Sequence, residues 1–219
     1  MSTGSNRRLV RRTLQLFSGL ILYGSSMALM VQSSLGLNPW DVLHQGLAET
    51  LGLSIGVAVI MVSVPVLLLW IPLRQRPGFG TIANLFVVGV AIDAALWVLP
   101  AAHGLPWRIA YLAAGVLLNG VATGLYIGSR LGPGPRDGLM TGINARFPRL
   151  SIRLVRTAIE IFVLGVGFLL GGTVGIGTVL YAIAIGPLAH FFIPRLTVPL
   201  PSEVDRAKYP EREETRDTA

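Results

Sequence analysis

The sequence contains no cysteine and few charged residues, and both shortages restrict what the protein does. Without cysteine there is no disulfide, thiol nucleophile or cysteine-ligated metal site. Charged residues make up 13% of the chain, whereas a soluble domain carries about 25%. Together with a mean hydropathy of +0.64, this predicts an integral membrane protein. Only five of the 11 acids precede residue 200: Asp41, Glu49, Asp93, Asp137 and Glu160.

Six long apolar runs are present, and each has the length of a transmembrane helix. The first is too long for the apolar part of a signal peptide, so we expect it to remain as a span. The predicted spans are 14–33, 54–73, 81–99, 108–128, 151–170 and 176–194. They form one predicted transmembrane domain, 14–200. A basic cytoplasmic N-terminus, 1–13, precedes it, and a charged tail, 201–219, predicted to be disordered, follows it.

Arginine placement predicts the orientation of the spans. If the N-terminus is cytoplasmic, only Arg108 falls on the opposite side. This distribution predicts a plasma-membrane protein with cytoplasmic N- and C-termini, so the net charge of +7 need not indicate nucleic-acid binding. The cytoplasmic side would carry Arg7, Arg8, Arg11, Arg12, Arg74, Arg76, Arg130, Arg136, Arg146, Arg149, Arg153 and Arg195.

The chain contains an internal repeat. The phrase LGLNPWDVLHQG at 35–46 recurs as LGPGPRDGLMTG at 131–142, an offset of 96 residues, and after a one-residue slip the similarity continues at an offset of 97. The short segments 39–50 and 135–147 that begin in these phrases predict half-helices or interfacial helices.

Each half contains three spans, so the halves must be inverted relative to each other. We therefore predict an all-α membrane protein with six transmembrane helices in two inverted three-helix repeats, 14–99 and 108–194. Each repeat includes one short broken or interfacial helix. Many secondary transporters have this architecture.

Five phrases carry a resemblance to a known family: LGLNPWDVLHQGL, LLLWIPLRQRPGFGTIAN, LYIGSRLGPGPRDGLMTG, SIRLVRTAIE and GGTVGIGT. Over 12–194 the sequence resembles the YczE branch of the YczE/YyaS/YitT family of bacterial integral membrane proteins. The resemblance implies a plasma-membrane protein and is compatible with a transporter. It supplies no substrate and no site residue.

The starts of the two short helices hold the first candidate site residues. Pro39 and Pro135 suit the first helical position, with Asn38 and Gly134 as N-caps. The acids that follow two residues later, Asp41 and Asp137, would then be stabilised by the helix dipole. The alternative is that they bind a proton or a cation, coupled to movement of one half against the other.

Neighbours of these acids distinguish the two halves. His44 and Gln45 share a helical face with Asp41, whereas Met140 and Thr141 occupy those positions in the second half. Arg136 either anchors its helix on the arginine-rich side or binds an anionic substrate at a helix N-terminus. The equivalent Trp40 is expected in the interfacial aromatic belt.

Four further acids and bases lie within predicted spans. Arg156 and Glu160 are four residues apart and are expected to pair, with Glu160 about 13 Å deep. They either fix helix packing or line a polar pocket, which we favour. Asp93 and the equivalent His190 are weaker candidates for a proton relay.

Glycine and threonine mark two further features. Thr81 and Thr178 follow glycine-rich turns and are predicted to start helices as N-caps, with anion binding as the less favoured alternative. Gly120, Gly124 and Gly128 form a small-residue stripe that predicts helix packing, either within the chain or in a homodimer.

The leading hypothesis is a secondary transporter of a small, anionic solute, working by alternating access and coupled to a proton or a cation. Arg136 and Arg156 would attract the solute. The alternative is a non-transporting membrane partner or assembly factor for another protein or biosynthetic complex. No set of residues typical of a catalytic, metal or cofactor site is recognised, so we predict neither an enzyme nor a metal or cofactor site. Contact between Asp93 and His190 would instead support a membrane enzyme.

Overall fold

A computed structural model describes the backbone of residues 3–199 and the side chains of residues 8–199. Within these residues the chain is helical, with no β-strand, which confirms the all-α prediction. The tail 201–219 lies outside the described residues. The helices are α1 (Thr3–Ser33), α2 (Pro39–Leu51), α3 (Ile55–Leu68), α4 (Phe79–Val98), α5 (Leu105–Gly128), α6 (Pro135–Arg146), α7 (Ile152–Leu169) and α8 (Ile176–Leu196).

Each predicted span coincides with a helix, and the two predicted short segments are α2 and α6. Helix α1 begins at Thr3, ahead of the predicted 14, and α3 ends at Leu68 instead of 73. Its last turn contains Pro65, and a series of turns follows in which the Trp70 side chain reaches α6 and donates a hydrogen bond to the Pro135 carbonyl at 3.0 Å. The chain after Leu68 therefore packs beneath α6 instead of lengthening the span.

On length and composition, four of the described helices are able to cross a membrane: α1 from Arg8, α4, α5 and α8. A fifth span results if α2 and α3, bent by 112° at their junction, are counted together. These helices expose large apolar side chains, including Ile21, Phe86 and Leu117. Such a surface implies contact with the hydrocarbon of a lipid bilayer.

Helices α2 and α6 are each preceded by a Leu-Gly pair, Leu35–Gly36 and Leu131–Gly132, and we call these two pairs the breaks. The two breaks share a positive φ angle at glycine and make equivalent contacts. Gly36 (φ 113°) and Gly132 (φ 132°) adopt positive φ angles, which favour glycine. The first break accepts a hydrogen bond on the Leu35 carbonyl from the Gly177 amide at 2.8 Å, and the second accepts one on the Leu131 carbonyl from the Gly80 amide at 2.8 Å. Each break is thus fixed to the glycine-rich helix start in the other half of the chain.

Helix packing also follows the repeat. A Cβ added to Gly24 on α1 would lie 2.7 Å from the Ala91 side chain on α4. A Cβ on the equivalent Gly120 on α5 would lie 2.7 Å from the Leu188 side chain on α8. Ala91 and Leu188 are themselves equivalent, at an offset of 97. The glycines allow α1 to approach α4, and α5 to approach α8, in the same way.

The same contacts decide the role of the glycine stripe. Added Cβ atoms at Gly120, Gly124 and Gly128 would all lie within 3.0 Å of atoms of Leu188, Phe192 or Leu196. Because α8 of the same chain covers the stripe, the interpretation as packing within the chain is correct. The alternative of a homodimer face at these glycines is wrong.

The predicted N-cap role of the two threonines is also corrected. The N-caps of α4 and α8 are Gly78 and Gly175. Thr81 and Thr178 lie three residues later, and each hydroxyl accepts the amide hydrogen of that glycine at 3.2 Å. The helices begin earlier because the breaks pack directly on the glycine backbones, where a side chain would not fit.

Candidate functional site

The start of α2 is held by side-chain hydrogen bonds, as predicted. Asn38 is the N-cap, and its Oδ1 accepts the Asp41 amide hydrogen at 3.0 Å. The Asn38 amide group donates in return to Asp41 Oδ2. Asp41 is 2% exposed, so its charge is stabilised by Asn38 and by the N-terminus of α2 instead of by water.

The equivalent acid at the start of α6 has different partners. Gly134 is the N-cap, as predicted, but it offers no side chain. Asp137 Oδ2 instead accepts a hydrogen bond from the Tyr126 hydroxyl, and Asp137 Oδ1 lies 3.7 Å from Arg136 Nε. The Arg136 guanidinium lies 5.6 Å from the centre of the Tyr23 ring, close enough for a cation–π contact.

Both helix N-termini border one cavity, which we call the central cavity. Its volume is about 50 Å³. Its polar lining brings together four of the predicted site residues, Asp41, His44, Arg136 and Asp137. The remaining walls come from α1, α3, α4 and α5 and from the helix starts, through Tyr23, Met27, Trp40, Val59, Val62, Ser63, Val66, Asn84, Val88, Tyr126, Gly134 and Pro135.

Two buried polar atoms in this lining have no hydrogen-bond partner among the described residues, Trp40 Nε1 and His44 Nδ1. Trp40 is 6% exposed and His44 is 7% exposed. His44 Nδ1 lies 3.4 Å from Asp41 Oδ1, within ion-pair distance but outside hydrogen-bond geometry. The expectation of Trp40 in an interfacial belt is wrong, because Trp40 packs in a core cluster with Trp70 and Met140.

A tyrosine–asparagine network lies beside the cavity and was missed by sequence reasoning. The Tyr181 hydroxyl donates to Asn119 Oδ1 at 2.9 Å, and Asn119 Nδ2 donates to Ser26 Oγ at 2.9 Å. Tyr181 also lies close enough to interact with Arg136 and Tyr23. A signal existed, since Tyr23 and Asn119 are equivalent in the repeat. A search of the two halves for equivalent positions that are both polar, and not only for identical residues, would have found Tyr23 and Asn119.

A second cavity lies between α7 and α8, and we call it the side cavity. Its volume is about 430 Å³. It contains the predicted pair, in which Arg156 Nε lies 2.9 Å from Glu160 Oε1. The pair therefore forms as predicted and also lines a cavity. The other lining residues are Pro39, Arg153, Thr157, Tyr181, Ala182, Ile185 and Gly186.

The two cavities are lined by equivalent positions of the sequence repeat. Five positions of the central cavity correspond to five of the side cavity. These pairs are Val59 with Arg156, Ser63 with Glu160, Asn84 with Tyr181, Val88 with Ile185, and Pro135 with Pro39. The side cavity therefore lies where the repeat would place a second copy of the central cavity. It is larger, and at two of these positions it has the charged residues Arg156 and Glu160 in place of Val59 and Ser63.

The volumes differ because the equivalent helix pairs pack differently. Helix α3 packs against α4, and an added Cβ on Gly89 would lie 2.7 Å from the Gly56 carbonyl oxygen. At the equivalent Gly186 on α8, an added Cβ would meet no described atom within 4 Å. We call α3–α4 the closed interface and α7–α8 the open interface.

Two predicted site residues have structural contacts instead. Asp93 accepts hydrogen bonds from the Ser54 hydroxyl at 2.6 Å and from the Gly56 amide at 2.8 Å, which fixes the start of α3 to α4. Gln45 donates to Glu49 at 2.9 Å and accepts from the Thr173 amide at 2.8 Å. Neither side chain lines the central cavity. His190, the equivalent of Asp93, is exposed on α8.

Comparison with known proteins identifies the family. The model of a family of unknown function, DUF6198, matches residues 10–194. An uncharacterised protein of Haemophilus influenzae is 43% identical over 178 residues, which cover 81% of each chain. The uncharacterised membrane protein YczE of Bacillus subtilis is 32% identical over 191 residues, covering 86% of this chain and 88% of YczE.

The protein YyaS of the same organism is 29% identical over 180 residues, covering 80% of this chain and 89% of YyaS. No solved structure matches this chain. The length of the family match and the identity to YczE confirm the resemblance that the five phrases carry. The chain belongs to the YczE-type family of membrane proteins, DUF6198.

Proposed function

We propose that the protein is a secondary transporter of a small solute that works by alternating access. The observation that carries the proposal is the pair of equivalent cavities, one small and one large. Arg136, which lines the central cavity, lies close enough to interact with Tyr181, which lines the side cavity. In a transporter built from repeats, exchanging the two packings opens one side while it closes the other.

The proposal includes six spans in two inverted repeats. Helix α7, with 18 residues, would be the sixth span, and its apolar face supports this. Ile161, Phe162 and Leu169 on that face are 65%, 70% and 85% exposed, as expected for side chains in contact with lipid. Its charged residues Arg153, Arg156 and Glu160 line the side cavity instead, where the cost of placing charge at membrane depth is reduced.

In this scheme the side cavity opens to the arginine-rich, cytoplasmic side, since α7 begins at Ile152, close to Arg146 and Arg149. The central cavity then holds the solute beside Arg136 and the two helix starts. Movement of α7 onto α8 closes the side cavity, and separation of α3 from α4 opens the central cavity to the opposite side. Asp41, Asp137 and Glu160 are the proposed groups for proton or cation coupling.

The alternative of a non-transporting partner or assembly factor has less support. In such a protein the glycine stripe and the charged tail would be the surfaces that bind the partner. The stripe is covered by α8, and the tail lies outside the described residues. A polar cavity with buried hydrogen-bonding atoms free to bind a ligand is more useful to a transporter than to a docking protein.

The absence of cysteine permits a test that needs no known substrate. Single variants Ser63→Cys in the central cavity and Ala182→Cys in the side cavity are reacted with a membrane-impermeant maleimide, in intact cells and in inverted vesicles. We expect Ala182→Cys to react from the cytoplasmic side and Ser63→Cys to react from the outside, each intermittently, because opening of one cavity excludes opening of the other.

Ala113→Cys on the exposed face of α5 is the matched control, because a lipid-facing thiol is not reached by a water-soluble reagent. If Ser63→Cys reacts from the outside no faster than Ala113→Cys, the central cavity does not open to that side. The alternating-access proposal would then be abandoned.

A further inference from the structure

The central cavity is lined by two buried nitrogen atoms that have no hydrogen-bond partner among the described residues. Trp40 Nε1 is a donor only, it is buried, and it has no partner among the described residues. His44 Nδ1 is buried and unpartnered in the same sense, and it lies 3.4 Å from Asp41 Oδ1. A buried polar atom without a partner is unfavourable because it has lost its hydrogen bonds to water, so binding of a ligand that satisfies both atoms is favoured.

The charges around the cavity are close to balanced. Asp41 and Asp137 each contribute one negative charge, and Arg136 contributes one positive charge. The N-termini of α2 and α6 each contribute about half a positive charge, and these sum to about one further unit. A ligand with a single net charge would unbalance this buried site, whereas a ligand that carries one charge of each sign would not.

From these observations we infer that the central cavity binds a small zwitterion, with an ammonium and a carboxylate group a few ångströms apart. The inference rests on the proposed transport function and replaces the expected anionic solute. The ammonium would donate hydrogen bonds to both Asp41 Oδ1 and His44 Nδ1, which lie 3.4 Å apart. The carboxylate would accept hydrogen bonds from Trp40 Nε1 and Arg136.

Distance and volume both restrict the ligand to a small molecule. The Trp40 and His44 ring centres are 6.5 Å apart, so one compact ligand reaches both residues. A cavity of about 50 Å³ has room for about four water molecules, at 10–15 Å³ each. Glycine, with five non-hydrogen atoms, is the smallest amino acid of this class, and larger zwitterions would require the cavity to widen.

The test is a binding measurement on the purified full-length protein in lipid nanodiscs, with three small probes. Glycine carries both charges, acetate carries only the carboxylate, and methylammonium carries only the ammonium. We expect glycine to bind at least tenfold more tightly than either single-charge probe, since each of those leaves one half of the site unsatisfied. Equal or tighter binding of acetate or methylammonium, or no binding of glycine, overturns the inference.

Two tryptophan variants test whether glycine binds in the central cavity. Trp40→Phe keeps the ring and removes Nε1–H, and we expect about a tenfold loss of glycine affinity or more, because a hydrogen bond to a charged group is lost. Trp97→Phe is the control, since Trp97 is 89% exposed and outside the cavity. Unchanged affinity in Trp40→Phe, with folding verified by thermal unfolding, would place glycine elsewhere and contradict the inference.

A separate uptake assay with labelled glycine in proteoliposomes distinguishes the two proposals. Specific binding together with uptake supports both the site and transport. Specific binding without uptake supports the zwitterion site and rejects the transport function. Uptake that is unaffected by Trp40→Phe supports transport and rejects this site.

Discussion

The closed interface of α3 and α4 and the open interface of α7 and α8 are built on the same sequence template but pack differently. At the closed interface the backbones of Gly56 and Gly89 nearly touch, and Asp93 holds the start of α3. The equivalent positions at the open interface are Arg153, Gly186 and His190. The small residue on one helix is replaced by a long cation, and the acid that binds the helix start is replaced by a histidine.

The comparison shows that two equivalent helix pairs of a sequence repeat pack in two different ways. Both interfaces keep a glycine on the second helix, Gly89 and Gly186, so α8 offers the same groove that α3 occupies on α4. What the open interface lacks among the described side chains is an equivalent of the hydrogen bonds to Asp93. The difference in packing therefore follows from two replacements, of Gly56 by Arg153 and of Asp93 by His190, and not from the apolar pattern of the helices.

The largest effect is expected from adding one methyl group at the two equivalent glycines. Gly89→Ala places a Cβ 2.7 Å from the Gly56 carbonyl oxygen and 2.9 Å from the Ile60 side chain, so the closed interface must separate at a cost of about 1–3 kcal/mol. Gly186→Ala meets no described atom within 4 Å, and its effect is expected within about 0.5 kcal/mol.

Thermal unfolding in detergent compares the two variants directly. A lower midpoint for Gly89→Ala and an unchanged midpoint for Gly186→Ala would agree with the structure. If both substitutions lower stability equally, the open interface is in fact packed, and the contrast between the two interfaces is wrong.

A smaller effect is expected from the ion pair of the open interface. The Arg156 and Glu160 side chains are 48% and 29% exposed, so solvent screens their attraction and the pair contributes about 0.5 kcal/mol or less. Glu160→Gln should leave the unfolding midpoint nearly unchanged, and Glu160→Asp is the matched control that keeps the charge. A loss of stability as large as that of Gly89→Ala would show that the pair fixes helix packing.

The helices of the fold could be predicted from the sequence, but the contacts of the side chains that line the central cavity could not. Hydropathy located each of the long helices, and proline placement located the starts of α2 and α6 with Asn38 and Gly134 as caps. These features depend on local chemistry, in which backbone groups near a helix start are satisfied by neighbours in sequence. The prediction that Arg156 and Glu160 pair succeeded for the same reason.

Long-range packing explains what the sequence did not reveal. Tyr126 was overlooked because its partner, Asp137, lies across a helix break. Asp93 looked like a buried, unpaired acid because Ser54 and Gly56 are 39 and 37 residues away in the chain. The unequal packing of the two interfaces could not be predicted either, because the repeat alone implies two equal halves.

The most direct measurement of alternating access compares distances across the two interfaces. Four exposed residues occupy equivalent positions, Val57 with Leu154 and Phe86 with Ile183. Spin labels on Val57→Cys/Phe86→Cys report the closed interface, and labels on Leu154→Cys/Ile183→Cys report the open interface. Asp93→Ala, which removes the hydrogen bonds to Ser54 and Gly56, is introduced into each pair.

We expect Asp93→Ala to shift the first pair toward longer distances and the second pair toward shorter distances, since in the proposed alternating access separation of α3 from α4 accompanies closure of α7 onto α8. The fraction of molecules that opens at one interface should match the fraction that closes at the other. A lengthening of the first distance with no change in the second would mean that the interfaces move independently, and alternating access between the two repeats would be contradicted.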